Sequence, residues 1–484
     1  MICQREVKKI MSQEKIVIWF KKDLRISDNP ALDQACKNGK IIPVYILDED
    51  DAGDFKMGKS SCWWLYQSLN FLSEKLDKKL QIFKGNSEKI LEKIVKETGA
   101  TSVYWNRSYE PWFIKKEKQI EKKLKALEVD VQIFNGTLLW NPEEVLKSDG
   151  TPYKVFTPFF KNGCLNAQAP REIISKPKNM DIYSKKLGVI LKDLNLFDKK
   201  VDDLLSRYWQ PGEDNAIKRL KHFIKDGLYD YQVGRDFPAR EVTSKLSPYL
   251  HFGEISPNQM WYLVQDLGYD YATRENIQTF LKELGWREFA YNVLYFNPDL
   301  PRKNLDEKFN KVDWGYSKKQ LEAWQEGQTG YPIIDAAMRE LKETGFMHNR
   351  MRMVTASFLV KNLMIHWHKG EDWFWDLLVD ADLASNSFNW QWVAGCGYDA
   401  APYFRIFNPI LQAKKFDPDA EYIKRWVPEL SKVPLKYIFE PYLAPSVILY
   451  QAGVVLGENY PNPIIDLKKS SKDALEIFKK AFKG

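Results

Sequence analysis

The pattern of apolar residues changes partway along the chain, and this change limits the fold more than any other feature of the sequence. The first third contains five short apolar runs rich in β-branched residues, at 15–20, 41–47, 80–83, 101–105 and 129–134. Helical patterns at 61–76, 87–97 and 111–127 lie between some of these runs. Continuous apolar strands that alternate with helices predict an α/β domain with a parallel, doubly wound sheet covered on both faces.

The rest of the chain shows a different pattern. From about residue 211 strand patterns vanish and helical periodicity dominates, as at 276–293, 333–344 and 348–367. The segment between the two patterns is irregular and contains several Pro and a Lys-rich stretch. We therefore predict an α/β domain over 1–135, an interdomain connection over 136–210 and a mainly α-helical domain over 211–484.

Composition narrows the function classes only slightly. The formal net charge of +7 fits a nucleic-acid partner only if the basic groups cluster on one face. Five Cys without a CxxC pair indicate reduced thiols and predict no metal site. The first residues lack the apolar core of a signal peptide and form an extension, with Met11 as an alternative start. We expect a cytoplasmic monomer that has no membrane partner, since no apolar run approaches membrane-spanning length.

Two segments of the helical half concentrate residues that can carry chemistry. TGYPIIDAAMRELKETGFMHNRMRM covers 329–353, and DADLASNSFNWQWVAGCGYDAAPYFRIFNP covers 380–409. A buried Asp is costly without a cation, so an ion pair between an Arg of the first segment and an Asp of the second is expected. Such a pair either is a structural salt bridge or lies beside a redox ring and affects how readily that ring holds negative charge.

Both segments resemble the flavin-binding core of the photolyase/cryptochrome family. Other segments resemble further parts of that family in the same order: 19–32 (WFKKDLRISDNPAL), 106–111 (NRSYEP), 235–257 (RDFPAREVTSKLSPYLHFGEISP), 283–289 (ELGWREF) and 323–332 (AWQEGQTGYP). The resemblance covers nearly the whole chain from about residue 15. It implies a class I cyclobutane pyrimidine dimer photolyase, in which light absorbed by reduced FAD drives an electron to a flipped-out dimer in DNA.

The resemblance assigns a flavin site to the helical domain. Arg352 and Asp380 match an ion pair beside the ring, Asp382 matches a carboxylate that accepts a hydrogen bond from it, and Asn386 matches the residue that faces its N5 atom. Plant-type cryptochromes tend to carry Asp at this last position and insect-type ones Cys, so Asn386 favours repair over signalling. The residues that match the pyrophosphate segment are Tyr231, Thr243, Ser244, Lys245, Leu246 and Ser247, and position 245 is Arg in many relatives.

The resemblance also implies residues for the lesion, the electron relay and the DNA backbone. The lesion pocket consists of Glu283, Trp286, Asn349, Met353 and Trp392. The three Trp that match the electron relay are Trp390, Trp367 and Trp314. The Arg residues expected near DNA phosphates are Arg235, Arg287, Arg350 and Arg405.

An antenna chromophore is expected in the α/β domain, at Asn106 and Glu110. Their loop resembles the one that binds a reduced folate such as methenyltetrahydrofolate, although relatives that use 8-hydroxy-deazaflavin share much of this pattern. A (6-4) photolyase would carry a His–His pair where this chain has His348 and Asn349, so the cyclobutane dimer is the expected substrate.

Three other members of the family are alternatives. A cryptochrome-type photoreceptor without repair activity is the main one, and we expect no long carboxyl-terminal tail of the kind many cryptochromes carry. An iron–sulfur relative needs four clustered Cys in the helical half, where only Cys396 occurs. The DASH branch differs around the MHNRMRM segment.

Overall fold

The amino-terminal part of the computed structural model, which describes residues 14–267 and 271–482, is built on one parallel sheet. The strands are β1 (Lys15–Phe20), β2 (Lys40–Leu47), β3 (Gln81–Lys84), β4 (Ser102–Asn106) and β5 (Asp130–Phe134). Their order is β3-β2-β1-β4-β5, and every neighbouring pair is parallel. The predicted extension around Met11, with Cys3, lies outside the described residues.

Apolar side chains on both faces of the sheet explain why its strands are almost continuously hydrophobic. In β1, Ile16 and Ile18 belong to the larger core cluster, whereas Val17 and Trp19 belong to a second cluster on the other face. Successive residues of a strand point to opposite faces, so both faces of β1 must be covered. The sequence prediction of a doubly wound parallel sheet followed by a helical domain is confirmed.

The α-helices follow one another along the whole chain. They are α1 (Pro30–Asn38), α2 (Lys59–Lys75), α3 (Ser87–Thr98), α4 (Pro111–Ala126), α5 (Phe156–Pro158), α6 (Lys199–Leu205), α7 (Glu213–His222), α8 (Tyr231–Gly234), α9 (Ser247–His251), α10 (Pro257–Gln265), α11 (Tyr271–Phe296), α12 (Lys318–Glu326), α13 (Pro332–Thr344), α14 (Asn349–Ser357), α15 (Trp367–Leu377), α16 (Leu383–Ala394), α17 (Pro409–Phe416), α18 (Glu421–Trp426), α19 (Leu435–Ile438), α20 (Ser446–Gln451) and α21 (Leu467–Phe482).

One predicted helix is wrong in its extent. The pattern at 348–367 predicts a single helix, but α14 ends at Ser357 and a short π-helical turn, Phe358–Asn362, follows it. Met364 then adopts a left-handed backbone with φ of 53°, which interrupts any helix. The ring of His366 accepts the backbone N–H of His368 and so begins α15 separately.

The buried side chain of Arg25 joins the sheet domain to the helical domain. Its guanidinium donates hydrogen bonds to the carbonyl oxygens of Asp28 (2.8 Å), Gly136 (2.7 Å) and Gly253 (2.9 Å). Gly253 lies in the loop after α9 with φ of 67°, and a Cβ there would come within 2.1 Å of the Lys22 carbonyl oxygen. The loop at Gly253 and the segment at Lys22 therefore meet in a contact that only Gly can make. Arg25 provides hydrogen-bond donors to the buried carbonyl groups around this contact.

We predict that Arg25→Met lowers the free energy of unfolding by roughly 3 kcal/mol, since the change leaves buried carbonyl groups without donors. Lys37→Met is the matched control, because Lys37 is exposed and its ion pair with Asp33 joins successive turns of one helix. That control should change stability by about 0.5 kcal/mol at most. Urea unfolding of both variants tests the prediction, and equal midpoints would contradict it.

Candidate functional site

A cavity of about 470 Å³ opens in the helical domain and brings together residues from distant segments. A cavity of this size falls in the range of small-molecule sites. Many residues singled out from the sequence line it, and these are Tyr231, Arg235, Thr243, Ser244, Lys245, Leu246, Ser247, Glu283, Trp286, Arg287, Asn349, Arg352, Met353, Asp380, Asn386, Trp390 and Trp392. The residues singled out from the sequence therefore account for much of the cavity lining, although the sequence does not give the contacts of each residue.

An ion pair at the centre of this cavity joins three segments. The Arg352 guanidinium lies 2.8 Å and 3.0 Å from the two carboxylate oxygens of Asp380, and the Ser247 hydroxyl donates to the same carboxylate at 2.6 Å. Arg352 also donates to the Met347 carbonyl oxygen at 2.7 Å. The expected Arg–Asp pair is confirmed, and it connects α14, the residues before α16 and the start of α9.

One end of the cavity is formed by the segment that leads into α9. Thr243, Ser244 and Ser247 bring small hydroxyl side chains to the wall. Lys245 adopts a left-handed backbone with φ of 50°, and its ammonium pairs with Glu241 at 2.7 Å. Hydroxyl groups, backbone N–H groups and an ammonium make this end suited to an anionic group such as a phosphate.

Glu283 and Arg235 pair with each other at the cavity wall. Both side chains are partly exposed, at 34% and 19% respectively. Burial would lower the pKa of the Arg235 guanidinium, but Glu283 raises it, so the guanidinium is charged at neutral pH. Arg235, which the sequence placed near DNA phosphates, therefore holds a carboxylate in place inside the site.

Trp286 has an aromatic partner that the sequence reasoning missed. The Phe156 ring stacks on Trp286 with a centroid distance of 3.8 Å and an interplanar angle of 9°. Phe156 comes from the connection that precedes the helical domain and is buried. The aromatic run at 156–160 was the only sequence signal for it. The stack fixes the plane of Trp286, a wall residue.

The orientation of the Asn386 amide is set from behind the cavity. Its nitrogen donates to the backbone carbonyl of Glu371 at 3.2 Å, which leaves its oxygen available to the cavity. The fully buried Glu371 carboxylate accepts hydrogen bonds from Ser387 (2.5 Å) and Arg302 (2.7 Å). Burial raises the pKa of Glu371 to about 8, although both partners oppose this shift. Glu371 was not predicted, and it joins α15 to α16.

Asp382 lies behind the cavity wall, not in it. It accepts a hydrogen bond from the Tyr291 hydroxyl at 2.5 Å and from the Ser385 backbone N–H at 2.8 Å, and it lies 3.6 Å from His251. Burial alone would raise its pKa, but His251, Lys22 and Arg287 lower it, so the carboxylate is charged. Asp382 also acts as the N-cap of α16, and its predicted hydrogen bond to a flavin ring stays a prediction.

The three Trp of the predicted relay extend away from the cavity. Trp390 is in the wall, and a Cβ on Gly370 would lie only 2.0 Å from its ring, so α15 packs tightly on it. Trp367 is fully buried at the start of α15. The His366 ring lies 5.7 Å from the Trp367 ring and 5.1 Å from the half-buried Trp314 ring. Trp367 and Trp314 do not line the cavity, as a relay that leads outward requires.

The four predicted DNA-contact Arg residues divide by burial. Arg405 is exposed, and Arg350 pairs with Asp236 at 2.7 Å. Only 12% of the Arg287 side chain is exposed, and it donates to the Thr137 carbonyl oxygen at 3.0 Å. Its guanidinium also lies over the Tyr291 ring. Arg287 thus reaches the cavity wall from a mostly buried position, and its role at DNA stays a prediction.

The predicted antenna residues are also buried in a structural network. The Asn106 amide nitrogen donates to Asp23 at 2.6 Å and to Asn29 at 2.8 Å, and the Glu110 carboxylate pairs with Lys22. Both Asn106 and Glu110 are 2% exposed. Their predicted role at an antenna chromophore stays a prediction, and the network shows what fixes the two side chains.

His348 has a local structural role. Its ring accepts the backbone N–H of Arg350 at 3.2 Å and caps α14. Burial lowers its pKa to about 4, so the ring is neutral at physiological pH.

No group of three or more His, Cys, Asp or Glu within the described ranges could hold a metal ion. Likewise, no described helix is long and apolar enough to cross a bilayer.

Comparisons with known proteins agree with this arrangement. Two family models match, described as DNA photolyase over residues 16–178 and as the FAD binding domain of DNA photolyase over residues 280–480. A deoxyribodipyrimidine photo-lyase of Agrobacterium fabrum is 45% identical and aligns with 96% of this chain and 97% of its own. Cryptochrome-2 of Arabidopsis thaliana is 36% identical and aligns with 94% of this chain and 77% of its own.

A solved structure bears on the expected class. The crystal structure of a bacterial class III photolyase from Agrobacterium tumefaciens is 43% identical, with a TM-score of 0.94, and covers 98% of this chain and 99% of that one. The class I assignment expected from the sequence is therefore not supported.

We predict that Gly370→Ala destabilises the fold by about 1–3 kcal/mol, because the added methyl group overpacks the contact with Trp390. Gly315→Ala is the control, since a Cβ there would have its nearest neighbour at 3.6 Å, an ordinary contact. Urea unfolding and the near-ultraviolet circular dichroism of Trp test the effect. Identical stability and spectra for the two variants would refute the tight packing.

Proposed function

Because the chain belongs to the DNA photolyase and cryptochrome family, we propose that it is a light-driven repair enzyme that splits cyclobutane pyrimidine dimers in DNA. The observation that carries the proposal is the composition of the cavity. Asn386 and Trp390 form one part of its wall, and Glu283, Trp286 and Trp392 form another. A cofactor and a flipped-out pyrimidine dimer can therefore share one chamber. The 43% identity to a class III photolyase supports assignment to that class.

The residues of the cavity fit FAD. The hydroxyl groups of Thr243 and Ser244 and the backbone N–H groups from Lys245 to Ser247 suit the pyrophosphate, since hydroxyl and N–H groups donate to phosphate oxygens. The Arg352–Asp380 pair and the Asn386 amide oxygen would lie beside the ring. When bound and reduced, FAD absorbs blue light, donates one electron to the dimer and receives it back.

The other residues of the chamber would receive the lesion. A dimer inside duplex DNA must be flipped out, and its weakened pairing lowers the cost of this step. Trp286, held flat by Phe156, and Trp392 would pack against the two fused pyrimidines. Glu283 would hydrogen-bond the base, and the Arg235 guanidinium paired with it would bring a positive charge near the position where negative charge develops.

A cryptochrome-type photoreceptor without repair activity is the second candidate. The 36% identity to cryptochrome-2 and the chain of Trp390, Trp367 and Trp314 favour it, because such a chain can reduce a flavin under light without any substrate. The cluster of Glu283, Trp286 and Trp392 in the wall favours repair instead.

DNA that contains cyclobutane dimers is the proposed partner, and we propose that the protein acts as a monomer. Exposed Arg405 would contact a phosphate. An antenna chromophore in the α/β domain, either a reduced folate such as methenyltetrahydrofolate or an 8-hydroxy-deazaflavin, is part of the proposal. Asn106 and Glu110 are the residues proposed to lie at its site.

Illumination of the reduced, FAD-loaded protein with two oligonucleotides tests the function. One carries a cyclobutane thymine dimer and the other a (6-4) photoproduct. We expect blue light to restore two thymines in the first oligonucleotide only, with no repair in the dark. Persistence of the cyclobutane dimer in the light would favour the photoreceptor.

We predict that Glu283→Ala lowers the light-driven repair rate at saturating DNA by about tenfold or more, because a group that stabilises developing charge is lost. FAD content should stay unchanged. Glu322→Ala is the control, since Glu322 is exposed on α12 and pairs with Lys318 of the same helix. Loss of FAD from the Glu283 variant would assign this residue a structural role instead.

We predict that Trp390→Phe blocks reduction of the bound flavin by light but spares repair by chemically reduced protein, because only the first process needs the relay. Trp261→Phe is the control, as Trp261 is equally buried but packs on Trp140 in the α10 region. Absorption spectra recorded during illumination report the flavin state. Undiminished photoreduction in Trp390→Phe would remove Trp390 from the relay.

A further inference from the structure

The loop between α16 and α17, residues 397–407, contacts both aromatic walls of the cavity, and we call it the lesion-side loop. The Ala401 backbone N–H donates to the Trp392 carbonyl oxygen at 3.1 Å. The Asp399 carboxylate accepts the backbone N–H of Phe156 at 3.1 Å, and Phe156 in turn stacks on Trp286. One short loop is therefore connected to the two Trp residues that lie far apart in sequence.

A buried Lys side chain donates hydrogen bonds to the backbone of the same loop. Lys361, in the π-helical turn after α14, is 1% exposed, and its ammonium donates to the carbonyl oxygens of Arg405 (3.0 Å) and Pro402 (3.4 Å). Within the described ranges, no salt bridge forms between Lys361 and a carboxylate. Burial lowers the pKa of Lys361 to about 8, and the nearby Arg405 charge adds to this effect. Burying an ammonium is costly, and the hydrogen bonds to the two loop carbonyl groups offset this cost. Lys361 therefore holds the backbone of the loop at these two carbonyl groups.

The outer side of the lesion-side loop is open to solvent. Phe404 is 63% exposed, and Arg405 is exposed beside it. The Phe407 N–H donates to the Ser357 hydroxyl at 3.1 Å, which holds the end of the loop against α14. The loop thus exposes an aromatic ring and a cation to solvent, while hydrogen bonds to Lys361, Ser357 and Phe156 hold its backbone and the Asp399 side chain.

We propose that the lesion-side loop is one positioning unit, in which Lys361 and Asp399 hold Phe404 and Arg405 toward DNA and keep Trp286 and Trp392 at the spacing that fits a dimer. This proposal rests on the proposed repair function. It makes discrimination between damaged and undamaged DNA depend on two residues that need not touch DNA. Phosphate contacts give affinity without sequence information, whereas the spacing of the Trp walls gives selectivity for the dimer.

Asp399 permits a sharp test, because its backbone is left-handed with φ of 50°. Gly and Asn both tolerate this conformation, whereas Ala would add strain. Asp399→Gly keeps the turn but removes the acceptor for the Phe156 N–H. Asp399→Asn keeps both the turn and an oxygen acceptor, so it is the conservative variant.

Fluorescence anisotropy of the FAD-loaded protein then measures affinity for dimer-containing and undamaged duplexes. We expect Asp399→Gly to lower the preference for the dimer about five- to tenfold, as the loss of one partly buried hydrogen bond implies. Asp399→Asn should restore most of this preference. A preference in Asp399→Gly equal to that of the unaltered protein would overturn the link between the loop and the Trp walls.

Lys361→Met tests the anchor, with Lys93→Met on the exposed surface of α3 as a control for loss of one positive charge. Trypsin cleavage after Arg405 at fixed pH, without DNA, should be several-fold faster in Lys361→Met than in the control, because the loop is released. Equal cleavage rates would overturn the anchoring role. The cleavage assay needs no DNA, so it tests the anchoring of the loop independently of repair activity. Failure of the unaltered protein to repair dimers would refute the proposed function but not the anchoring role.

Discussion

The ion pair between Arg352 and Asp380 is the interaction on which the rest of the site depends. It is mostly buried, and the Ser247 hydroxyl completes the hydrogen bonding of the carboxylate. Each partner belongs to a different segment, so the pair fixes α14, the residues before α16 and the start of α9 relative to one another. Removal of one partner would leave an uncompensated buried charge, at a cost of about 3–5 kcal/mol. The cavity exists where these three segments meet.

Residues that do not line the cavity orient those that do. Asp382 caps α16 and thereby positions Asn386 and Trp390, which that helix carries. The Glu371 carbonyl decides which end of the Asn386 amide faces inward, and Phe156 decides the plane of Trp286. The chemistry of the wall therefore depends on a second set of buried contacts, each of which is a hydrogen bond or ring contact from another element.

The sequence predicted the fold well because periodicity reports burial directly. All five apolar runs became strands, since both faces of the sheet are covered. The single helix expected at 348–367 failed at Met364, where the backbone is left-handed. The motifs predicted which residues gather around the cavity, but a motif does not state which way a side chain faces. For that reason the buried networks around Asp382, Arg287, Asn106 and Glu110 could not be predicted from the sequence. Phe156 was missed because its partner Trp286 lies far along the chain, and only tertiary packing brings the two together.

The central claim is that one chamber holds both the flavin and the flipped dimer. A crystal structure of the protein with FAD and a duplex that contains a cyclobutane thymine dimer tests it most directly. The account predicts the dimer between Trp286 and Trp392, with the isoalloxazine ring beside Asn386 in the same cavity. A dimer that remains stacked in the duplex, or a flavin bound away from Asn386, would contradict it.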